Sequence, residues 1–204
     1  MPLDVLSLII GYLLGSIPTA YIVSRARKGI DIRTIGSGNM GGANVMREVG
    51  TREGALAGLF DIAKGAGAVL IAQALNISEL WIFGTGFAAV LGHNFPVFAG
   101  FRGGRGSATI IGVFLVLAPA AALATLAVVA IPFFSTRKFA GAIIIGLALL
   151  PLFIWLLGGS LSLVCHASAI DLFMLVRNLP DIRRVLTKGI VKDMVHDRQR
   201  KETK

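Results

Sequence analysis

Uninterrupted apolar runs of membrane-spanning length recur along this chain, and they constrain its fold more than any other feature. A soluble domain carries more charge and lacks such repeats. The runs are continuous rather than alternating, which favours helices over the strands of a barrel. With 55% hydrophobic and 15% charged residues and a mean hydropathy of +0.78, the chain reads as an all-α integral membrane protein. Residues 1–204 form one polytopic membrane domain on this reading. The +9 formal charge is then more simply a cytoplasmic face than a nucleic-acid surface. A single cysteine, Cys165, excludes an internal disulfide and a thiolate metal cluster.

Val5 to Ser24 is the first run, about the ~20 residues that a bilayer core requires. Asp4 precedes it and no basic stretch opens it, so it reads as a span rather than a secretory leader. Pro18 either kinks it or is simply tolerated, as prolines in membrane helices are, and the second reading has at least equal weight. The segment Arg25–Arg52 carries Arg25, Arg27, Lys28, Arg33, Arg47 and Arg52, and the positive-inside rule puts it in the cytoplasm and the N-terminus outside. Gly54–Leu75 goes out, Leu80 to about Phe98 returns, and residues 99–106 form a second basic, glycine-rich cytoplasmic loop. Ser107–Ser135 is long enough for one generous span, but Pro119 sits near its middle. Two short spans hinged near Ala118–Ala120 keep Arg137, Lys138 and the basic tail 177–204 inside; one span would export them. Phe139–Leu157 and Leu163–Val176 complete seven spans, two of them short, with the C-terminus in the cytoplasm.

Two polar passages interrupt this pattern. The first, Ile35 to Gly50, gathers Gly36, Ser37, Gly38, Asn39, Asn44 and Arg47 between two spans. Backbone N–H groups in a glycine loop, with an arginine beside them, suit a phosphate. Gly36 to Gly41 also spells G-x-G-x-x-G, but the dinucleotide fingerprint needs a preceding buried strand in a βαβ unit, and here a membrane helix precedes it. The second passage runs from Gly92 through His93 to Gly103, Gly104, Arg105, Gly106 and Thr109. Arginines interleaved with glycines just before a helix begins at Ser107 build an anion site from guanidinium groups and free N–H donors. The competing explanation is a cluster that merely sets topology, which would not call for the glycines.

Charge inside the spans is the third signal. Asp61 and Lys64, at i and i+3, share one face of the second span, either as a self-neutralising pair or as functional groups facing a polar cavity. His166 and Asp171 form a His-x4-Asp pattern, but on a continuous helix they point about 140° apart, so the pattern reads as coincidence.

The segments Gly36-Ser-Gly-Asn-x-Gly-x-Ala-Asn44 and Gly92-His-x4-Phe-x2-Phe-x-Gly-Gly-Arg-Gly106 resemble the first two signatures of the acyl-phosphate:glycerol-3-phosphate acyltransferase family (PlsY). The resemblance extends across nearly the whole chain. It implies transfer of a fatty acyl group from acyl-phosphate to the 1-hydroxyl of glycerol 3-phosphate, giving lysophosphatidic acid and phosphate at the cytoplasmic face of a bacterial cell membrane. It implies Ser37, Arg47 and His93 as catalytic residues. Gly36, Gly38, Asn39, Asn44, Lys64, Gly103, Gly104 and Arg105 would bind substrate and phosphate, with no metal and no cofactor. Ala43 stands where the family usually has threonine, and Arg105 where it usually has lysine. The third signature appears as Arg177-Asn-Leu-Pro-Asp-Ile-Arg-Arg-Val185, with Asn178 replacing a histidine and Asp181 an asparagine. Both remain candidates for substrate binding. Expected partners are the two substrates and the lipid bilayer, with room for contact with the enzyme that makes acyl-phosphate, and no nucleic acid.

The chemistry suits these residues. Acyl-phosphate is already activated, so the protein has mainly to hold two anions together and orient a hydroxyl. A small organophosphate or anion transporter is the alternative, since it too would want cationic sites in the membrane.

Overall fold

A computed structural model of the chain describes residues 2–136 and 145–179, the side chains of 131–136 excepted. The described residues are helical, without strand. Helices α1 (Leu3–Gly15) and α2 (Thr19–Lys28) form one apolar stretch, Leu3–Lys28, broken at Ser16–Pro18. The break follows from Pro18, which has no N–H to continue the helix; the Thr19 N–H instead donates to the Ile17 carbonyl at 3.0 Å. Gly29, at φ +69°, ends α2 in a left-handed turn.

A short helix α3 (Gly42–Glu48) follows, then α4 (Thr51–Ala74) and α5 (Glu79–Asn94), whose course is extended by a 3-10 turn at Val97–Ala99. Helix α6 (Ser107–Leu117) meets α7 (Pro119–Thr136) at Ala118, so the expected hinge is present, and Pro119 opens α7 where its missing N–H costs nothing. Helix α8 (Leu150–Leu156) belongs to the apolar segment Ile145–Leu156, and α9 spans Leu161–Leu179. Four stretches are long and apolar enough to cross a membrane, namely Leu3–Lys28, Thr51–Ala74, Glu79–Ala99 and Leu161–Leu179. Three apolar helices are shorter: Ser107–Leu117, Pro119–Ala130 and Ile145–Leu156.

The first glycine-rich passage is less of a loop than its glycines suggest. Residues 25–28 continue α2, and residues 42–48 form α3, which carries Arg47 on its last turn. Val45 and Val49 anchor that passage to a small apolar cluster with Ala20, Ile32, Met40, Ala57 and Ala99.

Helix α4 is inside out by the standards of a soluble protein. Ala57, Asp61, Lys64, Gly65, Ala68 and Ala72 are buried, while Leu59, Phe60 and Leu70 are exposed. Small and polar side chains facing the bundle, with large apolar ones facing outward, are what a lipid surround selects. The small residues let backbones touch. A methyl group on Gly15 or Gly92 would overlap the backbone across the α1–α5 contact, and one on Gly65 or Gly112 would do so between α4 and α6. A larger cluster including Val69, Phe83, Ile110, Phe114, Ile154 and Ile170 ties α4, α5, α6, α8 and α9 together. Two packed pairs, α1 with α5 and α4 with α6, thus bring the ends of α1, α5 and α6 to one place.

Candidate active site

The first passage is shaped by Asn44. Its side chain is 1% exposed, and its Nδ2 donates to the carbonyls of Ile32 and Ile35, each at 3.2 Å. Its Oδ1 accepts from the Ser37 N–H at 3.1 Å. Both amide hydrogens and the oxygen are therefore committed to backbone, and Asn44 acts as the staple of this turn. Gly36 passes over it at φ +58°, where a side chain would be strained and would strike Asn44 Oδ1 and Glu48. Gly38 is also left-handed, at φ +69°. The turn lifts Ser37 into an exposed position. There its Oγ stands 3.5 Å from Arg47 Nη2 and 3.5 Å from the Asn39 N–H, both long contacts.

Arg33 ties this passage to the second one. Its guanidinium grips Asp31, with Nη2–Oδ2 at 2.7 Å, and Nη1 donates to the Ala99 carbonyl at 3.0 Å. It also lies over the Tyr21 ring, 5.0 Å from the centroid. The hydrogen-bonded Arg33 guanidinium holds the Asp31 carboxyl down to about 2, and Asp31 in turn raises Arg33 above its ordinary value. Neither residue was singled out from sequence. Ala99 lies 66 positions away, and nothing local marks it as Arg33's partner.

The second passage folds back on the end of α5. The Gly104 N–H donates to the His93 carbonyl at 3.1 Å. A side chain on Gly103 would collide with the His93 and Asn94 carbonyls. One on Gly104 would overlap both His93 Nε2 and the Met40 carbonyl. Met40 lies three residues beyond Ser37, so the two glycine passages meet at His93. Gly106, at φ +85°, then starts α6 with its first N–H groups free of helical partners. Arg105 precedes it and is partly buried.

His93 is 5% exposed and belongs to a buried polar node. Asp61 Oδ1 accepts from Thr19 Oγ1 at 2.5 Å, pairs with Lys64 Nζ at 2.8 Å, and lies 3.4 Å from His93 Nδ1. Lys64 Nζ also donates to the Ile17 carbonyl at 3.1 Å. That carbonyl lies at the Pro18 break and also accepts from the Thr19 N–H, using both of its lone pairs. Lys64 is thus an internal cation committed to Asp61 and the helix break, and it lines a narrow cleft with His93, Met40 and Pro96. The sequence paired Asp61 with Lys64 correctly; it gave no sign that Thr19 and His93 share the same oxygen.

The third passage reaches this place from α9. Arg177 lies over the Phe95 ring at 5.4 Å, two residues beyond His93. Asn178 is 4% exposed and donates to the Met174 carbonyl at 2.7 Å, and its Oδ1 has no partner among the described residues. It lines a cavity of about 470 Å³ with Ser107, Ser168, Asp171 and apolar residues of α8 and α9, among them Pro151, Leu172 and Leu175. Asp181 and the rest of the tail lie outside the described residues. His166 and Asp171 do not form a working pair: His166 stacks on Phe83 at 4.7 Å, and neither Asp171 oxygen has a hydrogen-bond partner.

A membrane-embedded helical bundle with two glycine–arginine turns meeting at one buried histidine defines a narrow class of proteins. Residues 5–188 match the family model for glycerol-3-phosphate acyltransferase, and the chain belongs to that family. Glycerol-3-phosphate acyltransferase 1 of Dehalococcoides mccartyi is 45% identical over 177 residues, covering 84% of each chain. The Geotalea daltonii glycerol-3-phosphate acyltransferase is 41% identical over 179 residues, covering 87% of this chain and 92% of the relative. Among solved structures, the glycerol 3-phosphate form of PlsY (YgiH), an integral membrane glycerol 3-phosphate acyltransferase, superposes with a TM-score of 0.84 at 35% identity. It covers 91% of this chain and 92% of its own. The lysophosphatidic acid form of the same enzyme gives a TM-score of 0.82.

Proposed function

We propose that this chain acylates the 1-hydroxyl of glycerol 3-phosphate with acyl-phosphate as the donor, at a site facing the cytoplasm. Acylation of glycerol 3-phosphate is the family's activity, and it decides against the transporter alternative. The donor, the orientation and the residue roles are our reading. The observation that carries it is the convergence of the two glycine turns on His93 through Met40 and Gly104.

In this reading the glycerol 3-phosphate hydroxyl oxygen attacks the acyl carbonyl carbon. The bond from that carbon to the bridging phosphate oxygen breaks, phosphate leaves with the electron pair, and the hydroxyl proton passes to a phosphate oxygen. No strong base is needed, because the mixed anhydride is already activated. Arg47 and Arg105, with the free N–H groups of the turns and of the α6 start, hold the phosphates. Ser37, with its long contacts to Arg47 and Asn39, closes onto the reacting centre when substrate supplies a third partner. His93 hydrogen-bonds the reacting groups where the turns meet. Asn44, Gly36 and Gly38 shape the turn, and Asn178, with its unpartnered oxygen, faces the apolar cavity that takes the acyl chain. The expected contact with the enzyme that makes acyl-phosphate would fall on this same cytoplasmic side.

The test is purified protein in lipid nanodiscs with glycerol 3-phosphate and either palmitoyl-phosphate or palmitoyl-CoA. Phosphate release and lysophosphatidic acid formation with palmitoyl-phosphate, at least tenfold above the thioester rate, is the expected result. Equal or better turnover with the thioester would overturn the donor assignment.

A further inference from the structure

We infer that Asp61 is a positioning residue for the transfer reaction, acting through His93; the inference rests on the placement of His93 in the site. Asp61 sits on α4, and Thr19 belongs to the start of α2. Both lie on helices outside the glycine turns, yet Asp61 Oδ1 collects Thr19 Oγ1 at 2.5 Å, Lys64 Nζ at 2.8 Å and His93 Nδ1 at 3.4 Å. The two nearer groups are donors that hold the carboxylate in one orientation. The third is a ring nitrogen that is buried and makes no closed hydrogen bond.

A buried ring N–H seldom stays unmet, and the polar atom it faces here is the one carboxylate oxygen already fixed on two sides. With the proton on Nδ1 and aimed at Asp61, the opposite nitrogen, Nε2, presents its lone pair beside Gly104. Asp61 therefore selects both the ring orientation and the tautomer of His93 at the point where the substrate-holding turns meet. At 3.4 Å the contact is a long one. A pair serving only to neutralise charge would need Lys64 alone; it would have no reason to share its oxygen with a histidine of the second turn. Lys64 has its own second task on the Ile17 carbonyl.

Steady-state kinetics in nanodiscs separates the possibilities. Asp61→Asn is expected to lower kcat about 10²-fold, the scale of a catalytic group displaced by about 1 Å, with both KM values within about twofold of wild type. Thr19→Val removes the 2.5 Å bond from the same oxygen but leaves Lys64 to orient the carboxylate, and is expected to keep kcat within about threefold. Equal kcat losses in the two variants, tracking their loss of folded protein, would overturn the inference in favour of a purely structural node. His93→Gln is measured beside them. If it stays active, the placement of His93 in the site fails; if it is inactive while Asp61→Asn is active, the placement stands and the positioning role fails. Should Asp61→Asn not fold, 15N NMR of histidine-labelled wild-type protein still decides, with the His93 signal assigned by its loss in His93→Gln. A proton on Nδ1 is expected, and a bare Nδ1 with the proton on Nε2 alone contradicts the inference.

Discussion

Ser37 and Arg47 are exposed and stand 3.5 Å apart, whereas Thr19, Asp61 and Lys64 are buried and joined at 2.5 and 2.8 Å. The two regions lie on either side of His93 and use polar groups in opposite ways. Around Ser37 the backbone is pinned, by Asn44 and the left-handed glycines, while the functional side chains are left loosely held. Around Asp61 the side chains themselves are saturated. An unsatisfied charge inside a bundle costs several kcal/mol, so the node has to be complete before substrate arrives. The rim can stay incomplete, because water serves it until a phosphate replaces the water. Rim residues should therefore fail in activity without failing in stability, and residues of the pinned backbone, or Asp61 at the centre of the node, should fail in both.

The sharpest break of that comparison is Arg47→Ala. It removes a guanidinium whose described side-chain contact is a 3.5 Å approach to Ser37, so kcat/KM should fall about 10²–10³-fold while thermal unfolding in detergent stays within about 2 °C of wild type. A large loss of stability would show that Arg47 belongs to the scaffold. Gly104→Ala comes next, since its methyl would overlap His93 Nε2 and the Met40 carbonyl. It should cost about 10²-fold in kcat and about 1–3 kcal/mol in stability, because backbone on one side cannot yield. Asn44→Ala strands two carbonyls and one N–H of the first turn, and should lower stability by about 2 kcal/mol.

The smallest effect belongs to Asp31→Asn, and it depends on pH. The Asp31 carboxyl is held at about 2 by Arg33, below its value of about 4 in an unfolded chain. Its contribution is then fully present above about pH 4 and fades as the pH falls through about 2. The gap in unfolding temperature between wild type and Asp31→Asn should be larger at pH 7 than at pH 2.5. A gap that grows toward acid would reverse the sign of this account.

Features written in local sequence were legible before any coordinates. Pro119 marked the hinge that falls at Ala118, Pro18 marked the break in the first span, and the spacing of Asp61 and Lys64 put them on one face. Helix α3 was not legible, because a segment opening on Gly41 and Gly42 reads as turn. Its buried Val45 and Asn44 are what make it a helix in this setting. The functions of the breaks were hidden too. At the Pro18 break the Ile17 carbonyl accepts from Lys64 as well as from the Thr19 N–H, and Thr19 reaches Asp61 across 42 residues. Arg33's hold on Ala99 and the meeting of Met40, Gly104 and His93 are likewise tertiary contacts. No periodicity reports such contacts, since each depends on where two helices cross.

The central claim is that the two glycine passages make one site. A double-mutant cycle on kcat/KM, pairing Ser37→Ala from the first with Arg105→Ala from the second, tests it most directly. If both residues serve a single transition state, the double variant should lose far less than the product of the two single losses, a coupling above about 1 kcal/mol. Losses that multiply within about twofold would mean two independent sites, and would contradict the account.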